Sequence, residues 1–370
     1  MLRPALICAL LSVVATWPFV ADPVGGLLGH PGNDVWNHVW GYWWVAQELQ
    51  AGRLPYYTDL MNFPQPGRLF FIDTFGAILT LPLQWLGGPV LAYNAAVFLS
   101  FWASGLCAWA LTRHVVRSVE GEHQDHVCYI AAIAYIFAPH LLAQAYNGIT
   151  ETLNAFGLPL AMLAVMRLYE RPTPRRALEA ALAGAFAMLA NWYFGFFAAL
   201  GAGLWLLSQA FWRRDRIHWA ALPLPVLLAG GGGLLLVGPA LLGFASTLGG
   251  EGAMVSRDRD FVWKQLITHN VTDFVSFFHP GKFYSPDLKA LHGEELLIVT
   301  YLGWTLLLLA GVGVARLRRW RDAAPWLLWL AVYTVMTLGP YLYVNGGHVL
   351  MEGRKIPLPF LAFFNALPVF

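Results

Sequence analysis

Charge is what this sequence has least of. Of 370 residues only 12% are Asp, Glu, Lys or Arg, against 58% hydrophobic and 15% aromatic. Soluble domains carry about twice that charged fraction, so an ordinary water-soluble fold is excluded. Cysteine is nearly as scarce: Cys8, Cys107 and Cys128 all lie in apolar segments. They give neither a disulfide framework nor a zinc spacing and read as small core hydrophobes. The net charge of +2 comes without a basic patch, which argues against nucleic acid as a partner. The run GGGG at 230–233 has no lysine or serine after it and sits in an apolar stretch, so it is not a phosphate loop. There it permits close helix contact or a break.

What the chain has instead is a series of apolar blocks, near 4–20, 69–88, 89–112, 127–145, 155–169, 177–192, 195–212, 219–244, 296–315 and 325–343, with another from about 358. Several approach the roughly 20 residues that span a bilayer. The fold class is therefore an all-α polytopic membrane protein. The first block reads either as a crossing or as a signal peptide, and either way the segment after it lies outside. The last one stops without a polar tail, and the natural chain is expected to continue past Phe370.

Arginines set the sidedness. Arg113 and Arg117, then Arg171, Arg175 and Arg176, then RRDR at 213–216 and RLRRWR at 316–321 lie in short loops, which the positive-inside rule places in the cytoplasm. Counting 69–88 as a crossing would put Arg113 and Arg117 outside. That block also contains Asp73, Thr74 and Pro82, so it reads as an interfacial or re-entrant helix. The expected organisation is a module over 1–244 with seven crossings and an external segment at 21–88. Beyond it lie a second external loop at 245–295 and further transmembrane helices over 296–370.

The external segment contains GNDVWNHVWGYWW at 32–44. Trp36, Trp40, Trp43 and Trp44 form one helical stripe, which suits a helix lying at the outer headgroup level. Asn33 or Asp34 would cap its start and Gly52 would end it. Asp34 is then a cap residue, a catalytic carboxylate at the rim of a cavity, or both. As a cap it would be held ionised by backbone amides. Glu151 stands alone between apolar crossings, near Asn147, Thr150 and Asn154. An acid at such depth is costly and points to function, against an acid that merely ends a helix. NWYFG at 191–195 reads as a tight outer turn with an aromatic anchor.

The order of these parts, with two juxtamembrane helices between the first two crossings, seven crossings and then an external loop, resembles the GT-C superfamily of membrane glycosyltransferases. Local stretches add to the likeness: LPYYTDLMNFPQPG at 54–67, GPVLAYN at 88–94, IFAPHLLAQ at 136–144, ELLIVTYLGW at 295–304 and TLGPYLYVNGG at 337–347. That superfamily includes oligosaccharyltransferases, protein mannosyltransferases and aminoarabinose transferases, and these stretches look like a bacterial branch of it. The resemblance implies a polyprenyl-phosphate-linked sugar as donor, a glycan, lipid or protein as acceptor, and a site facing the periplasm from the inner membrane. It implies Asp34 as catalytic base, Glu151 with Asn147 as a further external group for sugar or metal, Asn191 and Tyr193 as lining of the sugar site, and Asp34 and Glu151 as contacts for a divalent metal, Mg or Mn. Asn33-Asp34 departs from a paired acidic motif, which puts that metal in doubt.

Such a transfer needs a base, a cation for the departing phosphate and a positioned sugar. External cations are Arg53, Arg257, Arg259, Lys264, Lys282, Arg354 and Lys355. Bidentate geometry favours Arg257 or Arg259 in SRDRD, although these also read as a solvated cluster pairing with Asp258 and Asp260. His269, His279 and His292 match no metal spacing and read as solvated loop residues. Glu294-Glu295 reads as charge at a helix start, and Asn270 to Thr272 as a chance glycosylation match. A transporter or lipid-linked-sugar flippase, and a non-catalytic scaffold, are the other two readings of the chain.

Overall fold

The computed structural model describes residues 2–370 except 62, 63, 65, 121–124, 213–220, 248–251, 254–258, 269–270, 281–295, 317–319 and 367–370. It is 72% helical, and the strands among the described residues are three two-residue antiparallel pairs. The all-α class expected from composition holds.

Two compact units make up the chain: Met1–Phe137 with Gln144–Val255, and Ala138–Ala143 with Ser256–Phe370. In the first, α1 (Leu2–Ala15), α2 (Val35–Gln50), α3 (Thr74–Leu79), α4 (Leu81–Glu120) and α5 (Asp125–Ile136) follow in order. After them come α6 (Pro139–Asn147), which belongs to this unit from Gln144 on, α7 (Thr150–Leu153), α8 (Gly157–Glu170), α9 (Pro174–Ala190), α10 (Trp192–Trp212) and α11 (Pro223–Thr247). Five stretches among the described residues are long and apolar enough to cross a membrane: Leu81–Arg117, Asp125–Asn147, Thr150–Glu170, Trp192–Trp212 and Pro223–Thr247. Of the seven expected crossings, the first and the fifth form shorter helices, α1 with 14 residues and α9 with 17.

Helix α4 packs on α1, α2, α5 and α8, and α9 packs on α8, α10 and α11. The second of these hubs is built from alanine: Ala177, Ala181, Ala183, Ala185, Ala187 and Ala190 are buried on α9. Small residues let helix backbones approach closely where both sides are oily. The glycines at 230–233 lie within α11, and a Cβ on Gly232 would come within 3.2 Å of the Ala181 Cβ. The run thus makes a close contact rather than a break.

Residues 69–88 form no single long helix. Asp73 caps the short α3, and α4 departs from helical geometry at Gly87 and Gly88, the latter at φ 82°. The second unit holds the helix Arg259–Thr268, the helices Trp304–Ala315 and Trp320–Thr337, two hairpins over 343–355 and a last helix, Pro359–Ala366. The apolar block expected at 296–315 is helical only from Trp304.

Candidate functional site

The tryptophan stripe of α2 marks the edge of its buried face rather than the centre of an exposed one. Trp36 and Trp43 are exposed, whereas Trp44 is buried and stacks on Trp40 with ring centroids 5.5 Å apart. Val35, His38, Tyr42, Val45 and Ala46 recur at helical spacing and turn inward. Two of these, His38 and Tyr42, are polar. They therefore arrive in the interior carrying groups that need partners.

The partners come from two distant pieces of chain. Asp73 is fully buried at the N-cap of α3, where its Oδ1 accepts the Gly76 amide at 3.2 Å. Its Oδ2 accepts the Tyr42 hydroxyl at 2.7 Å and the Thr150 hydroxyl. The one-turn helix α7 supplies Thr150 and Glu151 side by side. Thr150 Oγ1 lies 2.8 Å from His38 Nδ1, and Glu151 Oε2 lies 3.3 Å from His38 Nε2. Asn154, just past α7, bonds Ser100 of α4 at 2.8 Å and the Ala190 carbonyl at 3.3 Å. Asn191 is the single residue linking α9 to α10, and its side-chain amide donates to the Glu151 carbonyl at 3.0 Å.

Glycine makes this approach feasible at two points. Gly148, between α6 and α7, has φ 77°, and a Cβ there would meet Val35 Cγ2 at 2.0 Å. A Cβ on Gly76 would lie 2.4 Å from Asp73 Oδ1.

Burial governs the electrostatics. It raises the Asp73 carboxyl to about 6, a rise held back by the hydrogen bonds from Thr150, Tyr42, Gly76 and Asn154. Burial also lowers the His38 imidazole to about 4. Desolvation disfavours the charged form of each group, so the two move in opposite directions. Such displaced acids and bases inside a helix bundle are suited to holding and moving protons.

Asp34 occupies the N-cap position of α2 as expected, but its side chain makes no capping bond. The expected clamp of backbone amides is absent because its φ and ψ of −74° and −1° are helical, so the carboxylate does not fold back over the first turn. Instead Oδ1 accepts the Asn37 side-chain amide at 3.1 Å, and its own backbone amide donates to the Asn147 carbonyl at 3.2 Å. Asn33 donates to the Asn147 side chain at 3.4 Å. Half-buried Asp34 lies near enough to Glu151 for the two carboxyls to repel. Helix α2 ends as read, with Gly52 at φ 70° just beyond its last turn.

Of the residues singled out in sequence, Asp34, Asn147, Glu151 and Asn191 therefore gather at one end of α2. Tyr193 is largely exposed beside them in sequence, its backbone amide bonded to the Asn191 side chain at 2.8 Å. Arg259 lies in the second unit, where its guanidinium sits 5.0 Å over the Phe364 ring and donates to the Phe364 carbonyl at 3.3 Å. Arg53 pairs with Glu48 at 2.8 Å. Arg257, Asp258, His269, Asn270, Lys282, His292, Glu294 and Glu295 lie outside the described residues.

His38, Tyr42, Asp73 and Thr150 are what the sequence reading missed. The i, i+4 pair of His38 and Tyr42, on the face opposite Trp36, was the available signal. Among the described residues no group of three or more His, Cys, Asp or Glu side chains is placed to hold a metal ion. The neighbours of Asp34 and Glu151 are mainly amides, a hydroxyl and one imidazole. Comparison with protein-family models, with curated proteins and with solved structures finds no match.

Proposed function

We propose that the chain is an integral-membrane glycosyltransferase of GT-C type, moving a sugar from a polyprenyl-phosphate donor to an acceptor on the non-cytoplasmic face of a bacterial inner membrane. One observation carries the reading. A half-buried carboxylate, Asp34, stands among the amides of Asn33, Asn37 and Asn147 at the head of a helix whose inner face leads to further buried acids. Amides of this kind suit sugar hydroxyls, and a carboxylate among them suits proton removal from an acceptor. Asp34 takes the proton of the acceptor hydroxyl as its oxygen bonds to the sugar and the bond to the lipid phosphate breaks. An apolar cleft of about 470 Å³, walled by α8, α9, α10 and α11 with residues such as Ala181, Gly184, Ala199, Gly233 and Leu234, is suited to the hydrocarbon part of the donor.

The test is transfer by the purified chain in lipid nanodiscs, offered a panel of polyprenyl-phosphate sugars with radiolabelled glycan, lipid and peptide acceptors. Asp34→Asn is expected to abolish product while the protein still purifies intact; full activity in that variant removes the assigned base. The buried carboxyls Asp73 and Glu151, with an imidazole between them, favour a second reading as a proton-coupled transporter. Proton uptake into vesicles holding the chain, with no transfer of any sugar, would establish that reading instead.

A further inference from the structure

We propose that Asp73, Thr150, His38 and Glu151 form one proton-sharing chain, in which a single proton is held by the two carboxyls and passes between them through the hydroxyl and the imidazole. The groups stand in order: Asp73 Oδ2 beside Thr150 Oγ1, Thr150 Oγ1 to His38 Nδ1 at 2.8 Å, and His38 Nε2 to Glu151 Oε2 at 3.3 Å. Glu151 Oε2 accepts no hydrogen bond in this arrangement, and His38 Nε2 faces it just short of hydrogen-bonding alignment. A small turn of the carboxyl closes the chain.

A hydroxyl and an imidazole each accept at one side and donate at the other. The chain therefore has two complete settings. In the first, protonated Asp73 donates to Thr150, Thr150 donates to His38 Nδ1, and His38 Nε2–H donates to ionised Glu151. In the second, protonated Glu151 donates to His38 Nε2, His38 Nδ1–H donates to Thr150, and Thr150 donates to ionised Asp73. Conversion breaks one O–H at Asp73, one at Thr150 and one N–H at His38. It forms one N–H at His38, one O–H at Thr150 and one O–H at Glu151. Neither the charge nor the proton count changes.

The surroundings leave that proton as the main variable. Tyr42 from α2, Gly76 and Asn154 bond Asp73 in both settings. Tyr93 from α4 and Asp34 at the head of α2 are the other titratable groups within electrostatic reach. Among the described residues no lysine or arginine pairs with either carboxyl. Asp73 repels Glu151 across the hydroxyl and the imidazole, and with no cation at either carboxyl the two hold one proton between them.

Infrared difference spectroscopy of the full chain in nanodiscs, across a pH titration, tests the proposal without any substrate. Two carboxylic C=O bands are expected, assigned by their loss in Asp73→Asn and Glu151→Gln, and they titrate together because they report one proton. Thr150→Val removes the hydroxyl that supports ionised Asp73, so the Glu151 band is expected to vanish, whereas Thr150→Ser keeps both. His38→Gln, whose amide cannot exchange its donor and acceptor ends, is expected to leave one band and serves if Thr150→Val fails to fold. A single band in the wild type unchanged in both variants, or two bands with separate midpoints, overturns the chain. Absence of sugar transfer with the shared bands intact overturns the transferase reading alone.

Discussion

Two spans of the same bundle are built in opposite ways. An 18-residue stretch of Thr150–Glu170 has mean hydropathy 1.3 with 67% of it buried, whereas one of Pro223–Thr247 has 1.9 with 11% buried. In water the oilier helix would be the inner one. Here it is the outer one, with Leu227 and Leu235 turned outward, while the inner span begins with Thr150, Glu151 and Asn154. That inversion fits a hydrocarbon solvent, in which apolar surface is at no disadvantage and polar groups withdraw to one another.

The contrast breaks most visibly at the polar side. Asp34→Asn is expected to lower sugar transfer by about 100-fold or more, the usual worth of a general base, with kcat falling further than KM rises. Next in size are two opposed pH dependences. Asp73 is raised from 3.8 to about 6, so its contribution favours the fold below about pH 4 and is lost as pH rises to 6. His38 is lowered from 6.5 to about 4, so its contribution is present above about pH 6.5 and is lost as pH falls to 4. Together they largely cancel. Asp73→Asn should tilt that balance toward the histidine, making the change in thermal stability between pH 4 and 6.5 more positive than in the wild type by about 3 kcal/mol. His38→Gln should tilt it toward the acid, making the change in stability between pH 4 and 6 more negative than in the wild type by a similar amount.

Gly148→Ala forces a side chain into the left-handed region and against Val35, and is expected to cost at least about 2 kcal/mol in a detergent melt. At the apolar side the effect nearly disappears. Leu235→Ala, on the exposed face of α11, is expected to shift stability by less than about 0.5 kcal/mol. A larger loss there would mean that α11 is covered by protein rather than lipid.

Much of the frame was legible because it follows from local pattern. The apolar periodicity gave the helices, the polar residues within 69–88 marked an interrupted block, and Gly52 and NWYFG marked ends that the fold keeps. The interior of the site was not legible, since its bonds are long-range. Asp73 meets Tyr42 from 31 positions away and Thr150 from 77. Within its own neighbourhood it looked only like a flaw in an oily run. The four tryptophans of α2 drew the eye to one side of that helix, while His38 and Tyr42, one turn apart on the other, gave no local hint of what they would meet.

Tyr42 also touches both sides of the break in α4. Its carbonyl accepts the Gln84 side chain at 2.8 Å, ahead of Gly87, and its ring packs edge-on against Tyr93, behind Gly88. One residue thus pins both sides of the joint at Gly87 and Gly88. Bending there would pull on the pin, and with it on the hydroxyl that steadies Asp73, so the posture of the α4 shaft and the state of the buried acid are yoked.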